Sequence, residues 1–424
     1  MDLAGLIPSF GNLALTILAF LVALIPIVFV HELGHYLVGR WSGIKADVFS
    51  IGAGPVLVSR TDKRGTRWQI AAFPVGGYVR FHGDANAASG SADEGAMAEM
   101  SAAERRQTLH GAPPWARAAT VAAGPIVNFI FSAIIFAGIG LYSGVPSEPL
   151  TVAKLMPVPG VENTLAPGDE ILAIGGVPLT SLEDFSKVYE SLPNSPTVTW
   201  TVRRDGAVMD VEALNPSPPV VGSVMAQSAA YDAGLQEGDL ITAVNGTPIA
   251  TFSDLQRIVK DGQGAPLTLD IRRGDGTLQV QLTPQSKDLP LPDGGFETRY
   301  LIGIGGGLFF EPATERIGLV QAVGNGVQTV DFVIRSSLSG LWHMVTRQIS
   351  SCNLRGVITI AETSGEAASQ GSASFLWFVA VLSTAVGLLN LFPIPVLDGG
   401  HLMFHAWEAV TGRAPSDRAL SLLT

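Results

Sequence analysis

Residues 10–30, 118–142 and 372–397 carry no charged side chain. Each is long enough to cross the hydrocarbon core of a bilayer as a helix, which takes about 20 apolar residues. This constrains the rest of the chain, because only helices and closed barrels satisfy their backbone hydrogen bonds in lipid. The first stretch is too long for the apolar region of a secretory signal, and neither a basic segment nor an A-x-A site frames it. It is therefore expected to be a retained span. Composition agrees: 15% of residues are charged and 47% hydrophobic, against about 25% charged in ordinary soluble domains. A disordered chain needs the reverse balance. The net charge of −11 speaks against a nucleic-acid binder, which presents a basic face. Cys352 is the only cysteine, which excludes an internal disulfide and cysteine-built zinc sites.

Lys and Arg in short loops set the orientation. A run of them from Arg40 to Arg117 separates the first two stretches, none precedes the first, and Lys154 alone follows closely on the second. The first loop is expected on the cytoplasmic side, with the N-terminus and residues 143–371 outside. Arg413 and Arg418 follow the third stretch and are expected back in the cytoplasm. Residues 418–424 turn apolar again and are expected to begin a truncated fourth span.

The outer segment repeats itself with an offset of about 70 residues. Residues 167–178 (PGDEILAIGGVP) align with 237–248 (EGDLITAVNGTP), and Arg203-Arg204-Asp205-Gly206 with Arg272-Arg273-Gly274-Asp275-Gly276. Alternation in 197–203 and 267–273 predicts half-buried strands, each closed by an Asp-Gly turn. The pattern resembles a PDZ domain of the form found in bacterial membrane and periplasmic proteases. Residues 228–235 match it closely in the second copy, whereas the first copy lacks a clear equivalent. A PDZ groove accepts a peptide as an added strand. A rigid spacer or filter with an unused groove is the plainer reading, since fold does not fix use.

His31-Glu32-Leu33-Gly34-His35 closes the first stretch. Positions i and i+4 share one helix face, so two imidazoles there can grip one zinc ion. Glu32 then lies where it can take a proton from water. Ionisable groups at the end of an apolar span are costly and usually functional; the bland alternative is a polar helix end at the interface. A catalytic zinc takes three protein ligands. Asp398 is the first acidic residue after the third stretch, and Pro393 and Pro395 break the helix before it. His401 and His405 are rivals with the same i, i+4 spacing, and spacing does not choose between Asp398 and His401.

Together these motifs resemble the site-2 protease family of intramembrane zinc metalloproteases, over nearly the whole chain. The resemblance rests on residues 31–35, the tandem PDZ-like repeats and residues 390–400 (NLFPIPVLDGG). It implies His31, His35 and Asp398 as zinc ligands and Glu32 as catalytic base. It implies substrate handling by Asn390, Pro393 and Pro395. It places Gly52 and Gly54 in a Gly-x-Gly loop, where Ala53 is smaller than the expected aromatic residue. Gly76 and Gly77 fall in residues 73–79, in a membrane-associated β region whose strand edge would hold an unwound substrate. Asn128 falls in a matching stretch of the second span, where it lines the cavity or bonds a neighbouring helix.

The expected architecture is an α+β membrane protein: a transmembrane helical zinc-protease core, a cytoplasmic membrane-associated β region and two extracytoplasmic PDZ domains. The boundaries run 1–40 (first span), 41–115 (cytoplasmic loop and β region), 116–143 (second span), 144–216 and 217–288 (PDZ domains), 289–371 (connector), 372–405 (third transmembrane segment) and 406–424 (tail). Residues 85–103 read as a flexible loop, with His82 and His110 as surface or packing residues beside it. Residues 317–349 read either as an amphipathic helix on the outer membrane surface or as a connector packed on the second PDZ-like unit. Arg355 departs from the family pattern in residues 353–357. The expected activity is zinc-dependent cleavage of single-span membrane proteins in a bacterial inner membrane, near the cytoplasmic face. The resemblance implies substrates of the anti-sigma-factor class, with remnant signal peptides as a further class, and an upstream site-1 type protease that trims the outer portion first. The PDZ domains would be periplasmic, reading new C-termini or filtering by size. The alternative is a PDZ-based membrane scaffold with an inactive protease core.

Overall fold

The computed structural model describes residues 10–85, 93–159, 164–179, 188, 191–225, 228–290, 296–346 and 356–412. These form two compact units. One takes its described residues from 10–140, Leu319–Leu338 and 356–412; the other takes them from Leu141–Gly318 and 339–346.

The first unit begins with α1 (Phe10–Trp41), which runs unbroken through Pro26 and the His-Glu pair. Strands β1 (Ala46–Thr61) and β2 (Arg67–Phe81) follow. Residues 48–51 pair with both ends of β2, at 67–70 and 77–80, while 56–61 pair with 67–71. Phe49 is fully buried, stacked on Trp68 at 4.3 Å and edge-on to Tyr36 of α1 at 5.7 Å. This cluster fixes the β region to the C-terminal turns of α1. Val56, Leu57, Val58, Ile70 and Phe73 remain exposed on it. The expected flexible loop instead contains α2 (Glu94–Glu99) and α3 (Ala102–Arg105). Each has a side-chain cap, from Asp93 and Ser101; Ser101 and Glu104 form a reciprocal capping box, which satisfies two otherwise orphaned N–H groups. Residues 86–92 of that loop lie outside the described residues. Helix α4 (Pro114–Ser143) ends this part.

In the second unit, β3 (Val145–Pro146) and β4 (Val152–Leu155) lead into the first repeat. That repeat comprises β5 (Glu170–Ile174), β6 (Val177–Pro178), β7 (Thr197–Arg204) and β8 (Ala207–Leu214). The second repeat comprises β9 (Val221–Val224), α5 (Ala229–Asp232), β10 (Leu240–Val244), β11 (Thr247–Pro248), α6 (Phe252–Asp261), β12 (Leu267–Arg273) and β13 (Gly276–Leu282). The two four-stranded sheets have the same order, β6-β5-β7-β8 and β11-β10-β12-β13. One clamp recurs in both. Asp169 and Asp239 are buried, and Arg204 and Arg273 each grip their aspartate through two 2.7 Å hydrogen bonds. Residues 180–187, between β6 and β7 of the first repeat, lie outside the described residues.

The repeats are not closed within residues 144–288. After the hairpin β14 (Gln285–Pro290) and β15 (Phe296–Leu301), three short strands turn back. They are β16 (Ile304–Gly306), β17 (Phe310–Pro312) and β18 (Thr314–Glu315), pairing with β9, β4 and β3 respectively. Phe309 and Phe310 enter the core of the first repeat, edge-on to Trp200 at 5.7 and 6.1 Å. The expected connector thus supplies core to the first repeat. Strands of two or three residues are too short for alternation to reveal them.

Helices α7 (Leu319–Val345), α8 (Val357–Ser369), α9 (Ser372–Asn390) and α10 (Asp398–Thr411) complete the chain. Residues 413–424, including the expected start of a fourth span, lie outside the described residues. So do residues 353–355. Among the described residues, three helices are long and apolar enough to cross a membrane: Leu13–Trp41, Pro114–Ser143 and Ser372–Asn390. The Leu319–Leu338 part of α7 packs on α4 and α9 through Val330, Phe136 and Ala380. A Cβ at Gly326 would lie 2.5 Å from Ala133 O. Helix α8 meets α1 at Gly365, where a Cβ would lie 2.6 Å from Thr16 Oγ1. Within the third segment the helix ends at Asn390 and a new one starts at Asp398, on either side of Pro393 and Pro395.

Two predictions follow from the second unit. Phe309→Ala should cost about 3–5 kcal/mol, as for a buried aromatic truncation, and should speed hydrogen exchange in β5 and β7; unchanged exchange there would count against the shared core. The second concerns acid. Burial alone would raise the Asp169 carboxyl, but the Arg204 guanidinium and the Ala166 N–H outweigh it and hold it below the usual carboxylate value. Its stabilisation is therefore present above the unfolded value near 3.9 and is lost as pH falls through the folded one. The double variant Asp169→Asn, Arg204→Leu should show a shallower loss of thermal stability between about pH 5 and pH 3 than the wild type. An unchanged slope would show that the clamp carries no linkage.

Candidate metal centre

Helix α1 carries His31 and His35 on one face, both 9% exposed, with their Nε2 atoms 3.2 Å apart. Asp398 Oδ2 lies 3.1 Å from His31 Nε2 and 3.4 Å from His35 Nε2. The backbone explains how Asp398 reaches them. Helix α9 ends at Asn390, residues 391–397 turn back, and α10 starts at Asp398 itself. Gly399 and Gly400 lie under that turn, where a Cβ would overlap the carbonyls of Leu391, Phe392 and Ile394. The carboxylate also sits in the first turn of α10, where the helix dipole favours negative charge.

Asp398 Oδ2 is buried and accepts no hydrogen bond of good geometry, although two imidazole nitrogens lie within 3.4 Å. Among the described residues, His31, His35 and Asp398 are the group whose ligand atoms cluster closely enough to hold an ion, within 4.8 Å of one another. Two imidazole nitrogens and one carboxylate oxygen match the donor set of a catalytic zinc with one position left open. The residues fit that metal. His401 and His405, the rival ligands, stand further along α10 and contribute no atom to the cluster.

Helix α4 walls the site. Thr120, Gly124 and Asn128 recur every four residues, on one helix face. His35 Nδ1 lies 2.9 Å from Thr120 O, and the Asn128 amide lies 3.2 Å from His31 Nδ1. At Gly124 a Cβ would overlap His35 Nε2 and come within 2.9 Å of His31 Cε1. On the facing helix, a Cβ at Gly34 would lie 2.6 Å from Ala123 O. Asn128 therefore faces the neighbouring helix, and the group it meets there is His31, one of the three clustered donors. The sequence did not single out Thr120 or Gly124; the signal was a small residue one and two turns before a buried asparagine.

Glu32 faces the β region. The Val79 N–H donates to its carboxylate. A Cβ at Gly77 would lie 3.0 Å from Glu32 Cγ and 2.9 Å from Val28 Cγ1, so glycine there lets β2 press against α1. Gly76 has φ +106°, outside the range most side chains accept. Gly52 and Gly54, both with φ +86°, face Phe73 within the β region. Asn390 donates to Val386 O at 3.0 Å. In the turn beyond it, Pro393 is exposed and Pro395 half-buried. Beside the α1 groups, then, the structure brings together Asp398 and Gly77, with Val79 as an addition. Gly124→Ala should weaken zinc binding by at least about 10-fold, measured by chelator competition on protein whose helicity is intact; wild-type affinity would refute the packing argument.

The chain is 36% identical over 412 residues to an Agrobacterium fabrum protein that bears the name of a zinc metalloprotease, covering 95% of this chain and 89% of that one. It is 32% identical over 431 residues to the regulator of sigma-E protease RseP of Salmonella typhimurium, covering 94% of this chain and 92% of that one. Among solved structures, the PDZ domain of the SdrC-like protein of Listeria monocytogenes matches at 22% identity, covering 23% of this chain and 93% of that one, with a TM-score of 0.18. The profile of peptidase family M50 matches residues 19–424, and the chain belongs to that family.

Proposed function

We propose that this protein is a zinc-dependent intramembrane endopeptidase that cuts single-span membrane proteins near the cytoplasmic face of a bacterial inner membrane. The observation that carries the reading is the convergence of His31, His35 and Asp398 at the end of a membrane-length helix, with Glu32 on the same helix turn. Substrates of the anti-sigma-factor class, and remnant signal peptides, arrive after a site-1 type protease has removed their outer portion. The PDZ-like repeats, on the periplasmic side, select such trimmed substrates.

His31, His35 and Asp398 would hold a zinc ion, which would supply a Lewis acid with one open position. Glu32 takes the proton that the attacking water loses and passes it to the leaving amine. The Val79 N–H donates to the Glu32 carboxylate and restricts its orientation. A substrate helix hides its scissile bond until it unwinds. The β2 edge around Gly76 and Gly77 lies beside Glu32 and offers backbone partners to an extended segment. Asn390, Pro393 and Pro395, around the turn before Asp398, guide the same segment from the other side.

Purified protein in detergent, given a trimmed single-span substrate, should cleave it. Glu32→Gln should keep about one zinc per chain and lose roughly 10²–10⁴ in rate, the usual worth of a general base. Cleavage by Glu32→Gln at the wild-type rate would remove Glu32 from the mechanism. Zinc-loaded wild type that cuts none of several trimmed substrates would overturn the protease reading itself.

A further inference from the structure

Asn128 is fully buried in α4, a helix long and apolar enough to cross a membrane. An amide in such a place is costly unless its polar atoms are bonded. As oriented, its Nδ2 lies 3.2 Å from His31 Nδ1, while its own Oδ1 is buried without a partner. A neutral imidazole that offers the Nε2 lone pair carries its proton on Nδ1. His31 Nε2 is the atom that faces Asp398 Oδ2 and His35 Nε2, so Nδ1 must donate. An N–H opposite another N–H repels. The two orientations of a carboxamide are nearly the same in shape, and half a turn about the Cβ–Cγ bond puts Oδ1 opposite Nδ1. That one rotation removes the repulsion and gives the unpartnered oxygen a hydrogen bond.

We infer that Asn128 is a positioning residue: its Oδ1 accepts the Nδ1–H of His31 and so holds the tautomer and ring angle that present Nε2 to the metal. The inference rests on the zinc reading of the site. Its counterpart is already visible at the other ligand, where the Thr120 carbonyl receives His35 Nδ1 at 2.9 Å. The asparagine is itself held in place. Its backbone carbonyl accepts from Ser383 Oγ at 3.1 Å, and the single Ser132 hydroxyl proton is shared between that carbonyl, at 2.9 Å, and Ala380 O, at 2.8 Å. A Cβ at Gly387 of α9 would lie 3.2 Å from Asn128 Cβ. Helices α4 and α9 thus fix the amide, and the amide fixes a ligand on α1. Such partners of metal-bound histidines set ligand orientation and basicity, and their loss typically weakens metal binding about 10–100-fold.

The test measures zinc affinity by chelator competition, together with thermal unfolding of the metal-free protein, for wild type, Asn128→Leu and Asn128→Asp, all full-length in detergent. Aspartate keeps an acceptor opposite His31 Nδ1 and has no donor; leucine has neither. Asn128→Leu should bind zinc about 10–100-fold more weakly, and Asn128→Asp should bind it at least as tightly as wild type. A role confined to helix packing predicts lower unfolding temperatures with unchanged zinc affinity, which would overturn the inference. Should Asn128→Leu fail to fold, Asn128→Asp still decides: a loss of 10-fold or more would show that a donor, not an acceptor, is needed there. Wild-type protein that binds no zinc would instead defeat the reading of the site on which the inference rests.

Discussion

The site depends on how closely α1 and α4 approach. In lipid, neighbouring helices gain nothing from hiding apolar surface, so their contacts rely on small residues and on polar bonds between helices. Gly34 and Gly124 remove the side chains that would hold the two backbones apart. Only then can Thr120 O and the Asn128 amide reach the far nitrogens of the two histidines. A pair of histidines on an isolated helix would swing through several rotamers. Here each ring is held at its outer nitrogen, and the inner nitrogens have one place to point.

The same economy of small residues recurs through the first unit. Gly326 meets Ala133, Gly365 meets Thr16, and Gly387 meets Pro125 and Asn128. Around these contacts, Thr120, Ser132, Ser383 and Thr384 are essentially buried, and each hydroxyl donates to a helix carbonyl. Polar side chains therefore cost little in this apolar setting, because the backbone itself supplies acceptors. Metal ligands need a stiff frame, and close helix contact with bonded hydroxyls provides one.

Much of this was legible in the sequence, for physical reasons. Uncharged runs of membrane length announce helices regardless of what they pack on, and α1, α4 and α9 appear where those runs predict them. The i, i+4 histidines needed only a helix to share a face. Asp398 stood out as the first charge after a long apolar run; spacing left it level with His401, the family resemblance selected it, and the turn at 391–397, which spacing does not encode, carries it to the histidines. Gly124 was invisible because its importance lies in what it lacks. The role of Asn128 was half legible: a buried amide in a span must bond something, but which atom it meets is a matter of three-dimensional contact. The capping box at Ser101 and Glu104 was written in the sequence, inside a stretch whose Ala, Ser and Gly content suggested no order. The returning strands β16 to β18 were missed because pairing between residues some 80 to 170 positions apart leaves no local trace.

Those returning strands have a consequence for how the protein is made. The second repeat sits inside the first, as one bracket within another: β9 waits for β16, β4 for β17, and β3 for β18. Chains emerge from the ribosome N-terminus first, and domains tend to fold in that order. Here the order is inverted. The first repeat lacks Phe309 and Phe310, and with them part of its core around Trp200, until the whole of the second has been synthesised. The inner repeat closes first and the outer one seals last, just before the helices that carry Asp398 leave the ribosome. A translation product stopped short of residue 304 therefore holds an open outer repeat and an incomplete metal centre together; residues 304–315 complete the first, and the second waits for Asp398.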